Sequence, residues 1–186
     1  MQDDRHYAAI AQHYGNRTAA RSGVPLMRHI DEGLYLLDLL GASLRARQAW
    51  CLHPLLQDDT SLQAALAADA PWWQHRPDPQ ALLLAMEYRA VANAYLSQHC
   101  RGDDDAIALS PLPEVNQLLV ADKVQNRKDF EAHHLGHHPN SATLVRYFAN
   151  WLRCLQVSEP RYQAMVERLR QAAPGQRPRA ALAGRA

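Results

Sequence analysis

Along most of this chain apolar residues recur at the three- and four-residue spacing of an α-helix, and the strict alternation that marks strands is missing. Val, Ile and Thr are scarce beside Ala and Leu, which also favours helix. The spacing predicts a first helix over residues 3–14, stopped by Gly15, and a second over residues 25–40. Pro25 suits the first turn of that second helix and Gly41 its end, while Met27, Ile30, Leu34 and Leu37 form its expected buried stripe. A third helix starts after Ser43, a capping residue, and carries Leu44, Trp50 and Leu52 toward His53. Pro54 has no amide hydrogen to give to a helix, so a break or kink is expected at His53. A short helix over residues 60–68 follows.

Residues 69–79 contain Pro71, Pro77 and Pro79 and read as a loop, with Trp72 and Trp73 as a plug over the core. A long helix is predicted over residues 79–99, and an acidic loop with Asp103, Asp104 and Asp105 leads to another over residues 113–133. Two more are expected over residues 141–156 and 160–172. The tail at 173–186 is rich in Pro, Gly, Ala and Arg and reads as disordered and basic. The fold expected is therefore all-α: one domain over residues 1–172, an irregular bundle of about seven or eight helices.

Composition narrows the function classes. A hydrophobic content of 47% implies a packed core, and a net charge of +1 offers no general basis for binding nucleic acid or a membrane surface. No run of about 18 apolar residues is present to span a bilayer. The polar opening Met1-Gln2-Asp3-Asp4-Arg5 does not resemble a signal peptide. Cys51, Cys100 and Cys154 are widely spaced and form no Cys-x-x-Cys pair, so a reducing, cytoplasmic setting is expected rather than a disulfide framework or a zinc finger.

Three residues stand out chemically. His29 lies between the apolar positions Met27 and Ile30, His53 closes the third helix, and Asp122 sits among Leu118, Leu119, Val120, Ala121 and Val124. A carboxylate in such surroundings must be paired or bound to a cation. Imidazole and carboxylate together suit manganese, zinc, iron or nickel. Taken singly, each histidine also fits an ordinary core or surface position, and Asp122 could pair with Arg21, Lys123 or Arg127. The run from His133 to His138 lacks the flanking spacing of a zinc site and reads as a surface turn. Arg89 and Asn93, four apart on the long helix, share one face, which is either solvated or lines a pocket.

Arg21-Ser22-Gly23 followed by His29, Leu52-His53 followed by Gln57-Asp58, and Ala121-Asp122-Lys123-Val124-Gln125-Asn126 occur in that order. In this order they resemble the HD-domain superfamily of metal-dependent phosphohydrolases, specifically the hydrolase domain of RelA/SpoT-type guanosine polyphosphate enzymes. The likeness covers about residues 5–155. The stretches Ala85-Met86-Glu87-Tyr88-Arg89 and Ala92-Asn93-Ala94-Tyr95-Leu96-Ser97 are also similar to small HD-like proteins carried by bacteriophages. The resemblance implies an HD-like helical fold in which His29, His53 and Asp122 hold a divalent transition metal. It further implies Gln57 and Asp58 in catalytic positions, and Arg21, Lys123 and Asn126 holding a nucleotide or another phosphorylated small molecule. Arg28 is a further candidate for phosphate.

Two departures bear on activity. Pro54 stands where that family has the Asp of its name, and Gln57 stands where it has a catalytic Glu. Proline offers no side-chain ligand, and an amide does not carry a proton as a carboxylate does. Losing one anion beside the cation implies weaker metal binding, or its loss. The alternative implied is a catalytically impaired protein of the same fold that binds a nucleotide or a protein. Self-association is open on this reading.

Overall fold

A computed structural model describes residues 5–20, 22–67 and 69–172. The expected tail therefore lies outside the described residues. Among them are eight α-helices and no strand, apart from one isolated bridge between Thr18 and Pro25. The helices are α1 (Arg5–Tyr14), α2 (Met27–Leu39), α3 (Leu44–Leu56), α4 (Asp59–Leu66), α5 (Pro79–Ala94), α6 (Pro113–His133), α7 (Ser141–Cys154) and α8 (Glu159–Gln171). Single turns of tighter helix cover Pro71–His75 and Ser97–His99. The all-helical expectation holds, and no helix is long and apolar enough to cross a membrane among the described residues.

Local signals account for several helix ends. Gly41 adopts φ +65° after α2, and its N–H donates to the Asp38 carbonyl at 3.0 Å while Ala42 N–H donates to Leu37 at 2.9 Å. This is the Schellman arrangement, which a residue with a Cβ would strain. Ser43 caps α3 by accepting from Ala46 N–H at 3.2 Å. Trp72 and Trp73 both anchor by their indole N–H, to the carbonyls of Ala65 (2.8 Å) and Ala67 (3.1 Å), with Trp72 buried over the core.

Two expectations are corrected. The predicted break at His53 does not occur, and α3 runs through Pro54 to Leu56. The carbonyl that Pro54 leaves without its helical donor, that of Trp50, instead accepts from His53 Nδ1 at 2.6 Å. The long helix over 79–99 ends at Ala94, because Tyr95 turns to an extended conformation and its hydroxyl joins Asp105 (2.8 Å) and Asn150 (3.0 Å). The face that α5 buries is Ala81, Ala85, Tyr88 and Ala92, while the larger Leu83 is exposed. Small residues on that stripe let α3 and α5 lie close, and this is the most extensive helix pairing in the molecule.

α3 also packs on α1, α2 and α4; α2 and α5 pack on α6, and so do α7 and α8. α6 buries apolar and polar positions alike, from Val115 through Leu118–Gln125 to Lys128 and Phe130. A helix enclosed on all sides is expected to be apolar all round. The exceptions on α6, namely Asp122, Lys123, Gln125 and Lys128, mark where the core turns polar.

Candidate functional site

The first turns of α2, the end of α3 and the middle of α6 meet at one point. His29 Nε2 stands 3.3 Å from His53 Nε2 and 3.8 Å from Asp122 Oδ1. The three candidate ligand atoms all lie within 4.8 Å of one another, and no other such group of His, Cys, Asp and Glu occurs among the described residues. His53 and Asp122 are buried, and His29 is partly exposed at the wall of a cleft of about 280 Å³.

The hydrogen bonds fix what each ring presents. Gln125 Nε2 lies 2.7 Å from Asp129 Oδ2 and 3.2 Å from Glu32 Oε2. Carboxylates only accept, so the amide N–H groups of Gln125 face them and its oxygen faces His29 Nδ1, at 2.7 Å. His29 Nδ1 therefore carries a hydrogen, and in the neutral ring this leaves the lone pair on Nε2. The same reasoning applies to His53, whose Nδ1 donates to the Trp50 carbonyl at 2.6 Å. With both rings neutral, two lone pairs confront each other at 3.3 Å, beside a carboxylate. An added proton on one ring, or a divalent cation between them, turns that repulsion into attraction. The spacing of the two imidazoles suits the cation, because two ligands each about 2.1 Å from one ion stand roughly 3–3.4 Å apart at near-octahedral to tetrahedral angles, while Asp122 Oδ1 stands farther out, 3.8 Å from His29 Nε2. The donor set fits a divalent transition metal.

The surroundings are built to hold these groups. The Trp50 indole lies 4.8 Å from the His29 ring and 4.3 Å from the His53 ring between centroids, and its N–H donates to the Ile30 carbonyl at 3.0 Å. The Tyr88 ring stands edge-on to His53 at 5.0 Å. Its hydroxyl is buried beside Asp122 without a well-formed hydrogen bond, and burial, then the Asp122 charge, hold its pKa well above the ordinary 10. Burial raises the Asp122 carboxyl, but the Lys123 ammonium at 2.8 Å and the nearby imidazoles outweigh it and keep its pKa below the usual value.

The other expected site residues divide. Asn126 lines the cleft and donates to Asp122 Oδ1 at 2.8 Å. Gln57 also lines it, exposed, with its backbone carbonyl accepting from Asn93 Nδ2 at 2.9 Å. Asp58 faces elsewhere, capping α4 with both oxygens engaged by Ser61, at 2.8 Å to the amide and 2.6 Å to the hydroxyl. Lys123 is buried away from the cleft wall, between Asp122, the Tyr147 hydroxyl at 3.2 Å and the Trp151 ring face at 4.9 Å. Arg28 is spent on Glu32, at 2.9 Å. Arg21 lies outside the described residues, although its neighbour Ser22 and nearby Ala19 line the cleft. Arg89 pairs with Asp59, so the polar face of α5 ties the α3–α4 junction. The His133–His138 turn is largely exposed and stands outside the three-residue group.

Gln125, Glu32, Lys128 and Asp129 belong to this centre although sequence reasoning assigned them no role. Glu32, almost fully buried, meets Lys128 at 2.7 Å, and Lys128 meets Asp129 at 2.6 Å. The available signal was a set of polar positions at 122, 125, 126 and 129, which share one face of a helix whose other middle positions include Leu118, Leu119, Val120, Ala121 and Val124.

Burial holds the His53 pKa down to about 3. An unfolded histidine binds its proton near pH 6.5, so between that pH and 3 the unfolded chain binds more protons than the folded one. This group's contribution to stability is complete above pH 6.5 and is lost as the pH falls through that window. Urea midpoints of metal-free protein are expected to drop between pH 7.5 and 4.5, at up to about 1.4 kcal/mol per pH unit from this group. A midpoint that stays level across that interval would contradict a neutral, buried His53.

No family model, no curated protein and no solved structure matches this chain.

Proposed function

We propose that this chain is an HD-like phosphohydrolase or pyrophosphohydrolase acting on a nucleotide or nucleotide derivative, with a divalent cation held by His29, His53 and Asp122. The observation that carries this reading is the meeting of three acceptor atoms from α2, α3 and α6, with both imidazoles already donating through Nδ1. Three protein ligands with remaining positions open are the arrangement of a catalytic rather than a structural site. When bound, the cation supplies a Lewis acid that activates water and polarises a phosphoryl oxygen.

The chain's own groups supply the rest. Asn126 steadies the carboxylate, Gln57 and Ser22 offer polar contacts at the wall, and Val24, Pro25 and Leu26 give an apolar side. About 280 Å³ lies below the usual range for sites that enclose a whole small molecule, so the cleft suits the reacting end of a nucleotide. No Lys or Arg lines it among the described residues, which leaves Arg21 as the candidate to hold phosphate.

A second reading is an impaired relative that binds a nucleotide or a protein without turnover. It draws support from Gln57, an amide where a proton carrier is wanted, and from Asp58, whose carboxylate is consumed in capping α4. Metal analysis of protein without an affinity tag separates the two, followed by a hydrolysis screen with manganese. The panel is guanosine tetraphosphate, deoxynucleoside triphosphates and monophosphates. Near one metal per chain and turnover of one panel member are expected. Nucleotides that raise the melting temperature without metal or turnover would favour the second reading. If neither metal nor nucleotide binds, the first reading falls and only a protein-binding role is left to the second.

A further inference from the structure

In an α-helix each amide N–H donates to the carbonyl four residues back, so the partner denied by Pro54 is the carbonyl of Trp50. That carbonyl is the one His53 Nδ1 engages, at 2.6 Å. The proline that cannot be a ligand therefore has a different consequence one residue away. It leaves open a backbone acceptor that dictates which nitrogen of His53 carries the hydrogen. On the other ring the same task falls to Gln125, whose amide is oriented by Glu32 and Asp129 so that only its oxygen can meet His29 Nδ1. Both rings are also wedged against Trp50, which limits their rotation.

We propose that Pro54 and Gln125 are positioning residues that lock the two histidines in the Nδ1–H tautomer, so that both Nε2 lone pairs converge on one point. The cation at that point rests on the function proposed above; the lock itself does not. Partners of this kind, set behind metal-binding imidazoles, typically change metal affinity by about 10–100-fold. Here the acceptor is released by the proline itself. An N–H restored at position 54 draws the Trp50 carbonyl back into the helical ladder and leaves His53 to share it.

The test uses the full chain labelled with ¹⁵N at histidine, as wild type, Pro54→Ala and Gln125→Leu. Long-range ¹H–¹⁵N spectra of the metal-free proteins at pH 7.5 read the tautomer, and calorimetric titration with Mn²⁺ reads the affinity. Wild type is expected to show Nδ1–H at both His29 and His53. Pro54→Ala should bring in the Nε2–H form at His53, and Gln125→Leu should do so at His29. Each variant should bind Mn²⁺ at least about 10-fold more weakly. A merely structural role for Pro54 predicts the reverse pattern, because alanine suits a helix interior better. On that account the melting temperature rises and neither the tautomer nor the Mn²⁺ affinity moves. An unchanged tautomer in both variants overturns the proposal. Wild type that shows the lock yet binds no Mn²⁺ upholds it and removes the metal reading instead.

Discussion

Asp122→Ala is expected to lower stability by about 3–5 kcal/mol and to abolish cation binding in the same step. The size follows from what the carboxylate leaves behind. Lys123 is 5% exposed and Asp122 2%, and among the described residues the ammonium's only carboxylate partner is Asp122, at 2.8 Å. Burial lowers the Lys123 pKa, but the Asp122 charge more than offsets this and keeps it raised, so the charge is held by that one partner. Without it, an ammonium remains among Tyr147 and Trp151, stabilised only by a hydroxyl and two ring faces. The double variant Asp122→Ala, Lys123→Met removes both charges, and breaking even with apolar replacements is common for such pairs. Urea denaturation should show most of the lost stability returning in the double variant, while Mn²⁺ titration stays flat. If the single and double variants are equally unstable, the buried pair is not the source of the loss. If the single variant still binds the ion tightly, Asp122 is not a ligand.

Gly33→Ala is the second large effect, and its sign is the opposite of the usual one. Inside a helix, alanine is ordinarily favoured over glycine by about 1 kcal/mol. At Gly33 an added Cβ would stand 2.0 Å from Trp50 Cζ2 and 2.1 Å from Cε2. Gly33 lies within α2 and its neighbour is a fully buried indole, so relief requires the ring or a whole helix to move. Overpacking costs typically about 1–3 kcal/mol, and an overlap this close belongs at the upper end, so a net loss of about 2 kcal/mol is expected after the propensity gain offsets part of it. The ring that must move is the one wedged against both histidines, so cation affinity is expected to fall together with stability. Adding Trp50→Phe to Gly33→Ala supplies room and should recover part of the stability. A Gly33→Ala protein as stable as wild type would show that α2 and α3 are not in this close contact.

Helix ends governed by neighbouring residues were the legible part of the fold. Gly41, Ser43 and Pro113 act within one turn of the chain, so their meaning survives without tertiary information. Pro54 misled because the rule for proline counts the missing backbone donor and not a side chain that replaces it. The end of α5 was hidden for a similar reason, as Tyr95 is drawn away by Asp105 and Asn150 from distant segments. Of the proposed centre, His29, His53 and Asp122 were readable as polar residues in apolar helical surroundings. Glu32 was not, since Arg28 and Glu32 four apart look like an ordinary solvated pair until Lys128 closes over them. Asp58 carried its own signal: an aspartate three residues before Ser61 at a helix start is a capping pattern, and capping is what it does.

The enclosure of α6 has a consequence for how the centre loosens. Amide hydrogens around Asp122 sit in a helix packed against α2, α3, α5, α7 and α8, and are expected to exchange with solvent only when the whole molecule opens. His29, in contrast, lies in the first turns of α2, next to the segment bridged at Thr18 and Pro25, where partial fraying needs far less energy. The carboxylate of the trio is therefore as persistent as the fold, while His29 sits on the segment that opens first.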